Sequence, residues 1–137
     1  MSELLFDTSV VSLFHPEKLS VPARALYAGY FVGNIAVASF QTVAELRYWA
    51  VRNKWGPRAR TSLDQLITEF VVIPPDDLLL QAWADVMMQC QSVGRRLETG
   101  DAWVAATAVR HRLTLITHDA DLVGLPVAGL NVLTHLP

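Results

Sequence analysis

The chain has 137 residues, 52% of them apolar and 18% charged, which suits one domain and excludes disordered, acidic-tail and collagen-like classes. A single cysteine, Cys90, excludes an intrachain disulfide, a cysteine zinc cluster and a CxxC redox motif, and suits a reducing cytosol. The net charge of −2 gives no global case for polyanion binding, although Arg47, Arg52, Lys54, Arg58 and Arg60 hold five of the eleven cations.

Glu3 and Asp7 interrupt the opening, so no secretory leader is expected. The most apolar stretch, 30–40, contains Gly33 and Asn34 and is too short to span a bilayer, so the expected setting is soluble and cytoplasmic. Leu4-Leu5-Phe6 reads as a short strand ending at Asp7, followed by a helix-like spacing of Val10, Val11, Leu13 and Phe14. His15-Pro16 stops that helix, and Pro22 opens another through Tyr30. Gly33-Asn34 marks a turn, 35–40 a buried strand, and about 42–55 a helix broken by Gly56-Pro57. A further helix runs over 57–70, and Val71-Val72-Ile73 reads as a second short buried strand. Asp76 or Asp77 caps a long helix with Ala82, Trp83, Val86, Met87 and Cys90 at helical spacing. Gly100-Asp101 opens a helix through Arg112 whose alanines permit close packing. Residues 113–117 and 132–134 are strands on either side of a His118-Asp119-Ala120-Asp121 turn. Strands alternating with helices predict an α/β fold, a single domain over 1–137 with a short parallel sheet flanked by helices on both faces.

Ligand crevices of open parallel sheets lie outside the carboxyl ends of the strands. Asp7, Glu45, Asp101, Asp119 and Asp121 all fall on elements that reach that edge. Each has an ordinary alternative role: helix capping for Asp7 and Asp101, the helix dipole for Glu45, turn chemistry for Asp119 and Asp121. Converging carboxylates repel one another unless a cation compensates, and oxygen-only ligands suit Mg²⁺ or Mn²⁺. The implied chemistry is metal-assisted phosphodiester hydrolysis. Glycine-rich phosphate loops, a GxSxG elbow and HExxH are absent, Cys90 reads as core, and His118 reads as a solvated turn residue.

Leu4-Leu5-Phe6-Asp7-Thr8-Ser9 resembles the opening of PIN-domain proteins, and Thr42-Val43-Ala44-Glu45-Leu46 resembles their glutamate motif. Gly100-Asp101-Ala102 and Thr117-His118-Asp119-Ala120-Asp121 resemble their third and fourth acidic motifs. Together with the length, the ordered set is similar to the VapC toxins of bacterial toxin–antitoxin pairs. The resemblance implies a Mg²⁺- or Mn²⁺-dependent endoribonuclease, homodimeric and inhibited by a small antitoxin. Asp7, Glu45, Asp101 and Asp119 would then bind metal and position water, with Thr8, Ser9 and Thr117 orienting the carboxylates. Leu122 stands where the family usually carries an aromatic, which keeps Asp121 beside Asp119 as an alternative fourth ligand; Asp119 is the expected one. Arg52 shares a helix face with Glu45 and Trp49, roughly 10 Å further along the axis, and with Arg58 and Arg60 it forms a candidate track for RNA phosphates. Packing of the Arg52 stem over Trp49 is the plain alternative. A PIN-like module that binds nucleic acid or a partner without catalysis is the competing reading. An aspartyl phosphatase ranks last, because no second aspartate stands two positions after Asp7.

Overall fold

Strands β1 (Glu3–Phe6), β2 (Ile35–Ser39), β3 (Val71–Ile73), β4 (Thr114–Ile116) and β5 (Val132–Leu133) form one all-parallel sheet in the order β3-β2-β1-β4-β5. The computed structural model describes residues 1–18 and 20–137. Successive strand residues face opposite sides, so Leu5, Val37 and Leu115 enter one core while Phe6, Ala38 and Ile116 enter the other. On the first side lie α5 (Asp77–Ser92) and α6 (Thr99–His111), bringing Leu79, Val86, Cys90 and Val104. The second side is covered by α1 (Thr8–Val11), α2 (Ala23–Tyr27), α3 (Phe40–Arg52) and α4 (Pro57–Thr68). Burying each large apolar side chain contributes about 1.5–3 kcal/mol, so two continuous cores hold the sheet without a disulfide.

The alanines of α6 do what their size allows: Ala102, Ala105, Ala106 and Ala108 are buried, and α6 packs closely on α5. Helix α3 begins at Phe40 rather than Thr42, because the Ser39 hydroxyl accepts a hydrogen bond from the Thr42 amide at 3.2 Å and ends the strand one residue early. Asp76, not Asp77, caps α5 by accepting from the Leu79 amide at 2.8 Å. Helix α2 stops at Tyr27 and tightens into a 3₁₀ turn over Ala28–Phe31. The expectation of a buried third strand is corrected. β3 lies at the sheet edge, with Val71 57% and Val72 37% exposed, and only Ile73 joins a core. A three-residue apolar run is the same string on an edge as in a centre; strand order alone decides its burial.

β1 is central, with β2 and β3 on one side and β4 and β5 on the other. The chain therefore reverses its direction of winding across the β1–β4 pair, the place where open α/β sheets form their crevice. Asp7 follows β1 there, its amide donating to the Ile116 carbonyl of β4 at 2.9 Å. Among the described residues, no helix is long and apolar enough to cross a membrane.

Candidate active site

Asp7 occupies the N-cap position of α1, yet its side chain makes no capping bond. Its Oδ2 instead accepts from the Ser9 hydroxyl at 2.7 Å and the Thr117 hydroxyl at 2.9 Å. The residue is only 4% exposed, and burial raises the carboxyl above its usual range. Hydrogen bonds from Ser9, Thr117 and the Thr8 backbone oppose that rise, and the charge of Asp119 adds to it. Two hydroxyls on one oxygen fix the plane of the carboxylate and leave Oδ1 as the oxygen free of them.

Glu45 lies in the second turn of α3, beyond the first turn where a helix dipole acts, so the dipole reading is corrected. Its Oε1 accepts from Gln41 Nε2 at 3.1 Å. Burial raises this carboxyl too, Gln41 and the Thr8 hydroxyl lower it, and Asp7 and Asp119 push it further up. The Thr8 and Thr42 hydroxyls lie 3.0 Å apart, tying α1 to α3 beside Glu45.

Asp101 is the third residue of α6, whose N-cap is Glu98, so it is not a cap either. It is pushed up to about 7, first by burial and then by the charges of Asp119, Asp7, Asp121 and Glu45. Asp119 does serve its turn: Oδ1 accepts from the Asp121 amide at 2.9 Å, opening the 3₁₀ turn Ala120–Leu122. The Asp119 amide in turn donates to the Thr117 hydroxyl at 3.0 Å. One carboxylate oxygen each from Asp101, Asp119 and Asp121 lies within 4.8 Å of the others. Asp7 and Glu45 lie outside that group of three but act on Asp101 through their charges, and Ser9 and Thr117 contact Asp7 while the Thr8 hydroxyl lowers Glu45.

The basic track is placed differently. Arg52, Arg58 and Arg60 are exposed on α3 and α4. Arg58 lines a depression with His15 and Ser62, and Arg60 another with Val51 and Asp64; neither lining holds one of the five acids. Arg47 is paired with Asp64 at 3.0 Å.

Three residues beside these groups are not signalled by the sequence reading. Gln41 stood at i−4 from Glu45, a spacing that would have identified it. Tyr27 is fully buried, its hydroxyl 3.2 Å from the Thr117 carbonyl and 2.6 Å from His118 Nδ1, while the His135 amide donates to it at 3.0 Å. His118 is therefore tethered rather than freely solvated, and no local signal links it to a tyrosine 91 residues away. Arg96 borders Asp101 and Asp121 in a cavity of about 330 Å³ shared with Leu97 and Glu98.

The donor chemistry fits a divalent cation. Among the described residues the ion pairs are Arg47–Asp64 and Arg110–Asp76, so none of the five acids is neutralised by a paired base. Asp7, Glu45 and Asp101, raised first by burial and then by acidic neighbours, are carboxyls whose charge a hard, oxygen-binding ion would stabilise.

Residues 4–127 match the profile of the PIN domain. Ribonuclease VapC4 of Mycobacterium tuberculosis (strain ATCC 25618 / H37Rv) is 32% identical over 130 residues, which cover 89% of this chain and 90% of that protein. VapC ribonuclease Y4jK of Sinorhizobium fredii (strain NBRC 101917 / NGR234) is 30% identical over 139 residues, covering 95% of each. In shape, the chain is similar to one chain of VapBC2 from Rickettsia felis bound to a DNA fragment from their promoter. The TM-score is 0.82 at 16% identity, with 98% of each chain covered. It is also similar to a chain of VapBC-5 from Mycobacterium tuberculosis, a member of the VapBC family of toxin-antitoxin systems. That match has a TM-score of 0.68 at 25% identity and covers 98% of each chain.

Proposed function

The chain belongs to the PIN-domain family, among its VapC ribonucleases, and from that premise we propose a divalent-metal-dependent endoribonuclease acting as the toxin of a toxin–antitoxin pair. The observation that carries the reading is the grouping of Asp101, Asp119 and Asp121 beside the switch point of the sheet, with Asp101 pushed up to about 7 first by burial and then by the charges of Asp119, Asp7, Asp121 and Glu45. Asp7, Glu45, Asp101 and Asp119 would hold the metal, with Asp121 as the alternative to Asp119. When bound, Mg²⁺ or Mn²⁺ supplies positive charge against the reacting phosphate and lowers the pKa of water. Ser9 and Thr117 hold Asp7 by Oδ2, the Asp121 amide holds Asp119 by Oδ1, and Gln41 holds Glu45 by Oε1. Each pinned oxygen directs its carboxylate without the chain having to order it on binding.

The partners proposed are RNA as substrate, a cognate antitoxin, and a second copy of the chain. The antitoxin rests on the VapBC relatives, and the homodimer on α5, which leaves Leu78, Leu80 and Met88 exposed. Arg52, Arg58 and Arg60 are proposed as outer phosphate contacts.

The test is cleavage of structured RNAs, transfer RNAs included, by wild type and Asp101→Asn with EDTA, Mg²⁺ or Mn²⁺. Metal-dependent cutting by the wild type alone is expected. Cutting that survives EDTA, or equal traces from both proteins, would reject the proposal.

Gly100 offers a second check on the same site. A Cβ there would come 3.0 Å from Gln41 Nε2 and 3.2 Å from Glu45 Oε1. Gly100→Ala should displace this pair and weaken Mn²⁺ binding about tenfold, the lower end for losing a group that orients a ligand. Calorimetric titration with Mn²⁺ reads this directly, and an affinity unchanged in both Gly100→Ala and Glu45→Gln would remove Glu45 from the ligand set.

A further inference from the structure

We propose that Arg96 grips a phosphate of the RNA beside the scissile bond, from the loop that joins α5 to α6. The inference rests on the nuclease reading and adds a substrate contact to it.

The loop is built to present this side chain. Gly94 takes φ +71°, which turns the chain out of α5. Arg95 is tied at both ends: its amide donates to the Cys90 carbonyl at 2.9 Å, and its Nη2 to the Asp121 and Val123 carbonyls at 3.3 and 3.4 Å. Leu97 is buried in the core beneath α5 and α6. Between an anchored neighbour and a buried one, Arg96 is turned outward and is exposed. It lines the cavity of about 330 Å³ that Asp101 and Asp121 also line. No ion pair within 4.0 Å joins it to Glu98, Asp101 or Asp121 among the described residues, so its guanidinium is uncommitted.

The electrostatics ask for such a group. Five carboxylates repel a polyanion, and the metal charge they hold only offsets their own. A substrate phosphate next to the reacting one gains nothing from that balance and needs a cation on the rim. A guanidinium suits this position, because its planar fork meets two phosphate oxygens at once. The attachment of Arg95 to the Asp121–Val123 segment sets the loop in place, so little backbone freedom is lost on binding.

Single-turnover cleavage of total transfer RNA in Mn²⁺, with enzyme varied and NaCl taken from about 50 to 200 mM, tests the assignment. Arg96→Ala should raise the half-saturating enzyme concentration roughly tenfold and flatten the log–log salt slope by about 0.7–0.9, the share of one phosphate contact. The maximal rate should stay within about threefold, as for binding shared by ground and transition states. Mn²⁺ affinity, measured by calorimetry, should not change. Arg96→Lys should restore the slope and only part of the affinity. Wild-type half-saturation and slope in Arg96→Ala would overturn the proposal, and so would a parallel loss of Mn²⁺ affinity, which would place Arg96 in the metal site. Should the wild type itself cut no RNA in Mn²⁺, the nuclease reading fails and this one with it. Cutting by the wild type with no effect in Arg96→Ala rejects the arginine contact alone.

Discussion

Asp7→Asn should lose on the order of 10³-fold of its metal-dependent RNA cleavage and still fold, the scale on which removing one preorganised charged group acts. The substitution keeps shape and hydrogen bonding: an amide oxygen can accept from the Ser9 and Thr117 hydroxyls that now meet Oδ2 at 2.7 and 2.9 Å. What disappears is the negative charge, at a site only 4% exposed and coupled to Asp119. Burying a neutral amide costs less than burying a carboxylate without a counter-ion, so the metal-free variant should melt no lower than the wild type. Thr117→Val removes one donor and leaves the charge, and its loss should be nearer tenfold, as for other groups that orient a metal ligand. Single-turnover rates normalised to folded protein by circular dichroism separate the two. Retention of more than about a tenth of wild-type cleavage in Asp7→Asn would remove Asp7 from the centre of the site, given the losses typical of such groups.

The reason Asp7 was readable at all is local. An apolar run ending in an acid, followed by helical spacing, places that acid at the end of a strand, and strand ends are where parallel sheets bind ligands. The same logic located Asp119 and Asp121 after β4 and Glu45 on the helix after β2. Capping and dipole roles are also local, and the sequence could not choose between them and a shared site. The choice lies in hydroxyls that come from elsewhere: Thr117 reaches Asp7 across 110 residues, a pairing set by the β1–β4 register. Tyr27 under His118 and the edge position of β3 were hidden for the same reason, since both depend on strand order rather than on any neighbouring residue. Arg96 stands outside the basic run at 47–60, and nothing local ties it to phosphate. In the folded chain Arg96, five positions before Asp101, lines one depression with Asp101 and Asp121, whereas Arg58 and Arg60 line depressions without these acids.

The burial and crowding of the acids should also be visible in stability, without any RNA. Asp101 is held at about 7 in the folded protein, whereas an unfolded-chain aspartate titrates near about 4. Between those values the native state carries more protons than the unfolded one, so stability must fall as pH rises through that window and level off above it. Asp7 and Glu45, both raised by burial, act in the same direction. In EDTA, the melting temperature of the wild type should therefore drop between pH 5 and pH 8 relative to Asp101→Asn, which has no such proton to lose. Asp101 is part-exposed, and solvent screening reduces the effect to about 1 kcal/mol, or about 3 °C for a domain of this size. Asp101→Asn should thus melt about 3 °C above the wild type at pH 8 in EDTA and converge with it near pH 4. Mn²⁺ should reverse the order at pH 8, because a ligand that binds only the folded state adds stability in proportion to the logarithm of its concentration over its dissociation constant. Parallel melting curves for the two proteins across the pH range would mean that neither burial nor acidic neighbours raise the Asp101 carboxyl. The case for a cation among the acids would then fall even if some RNA were cut.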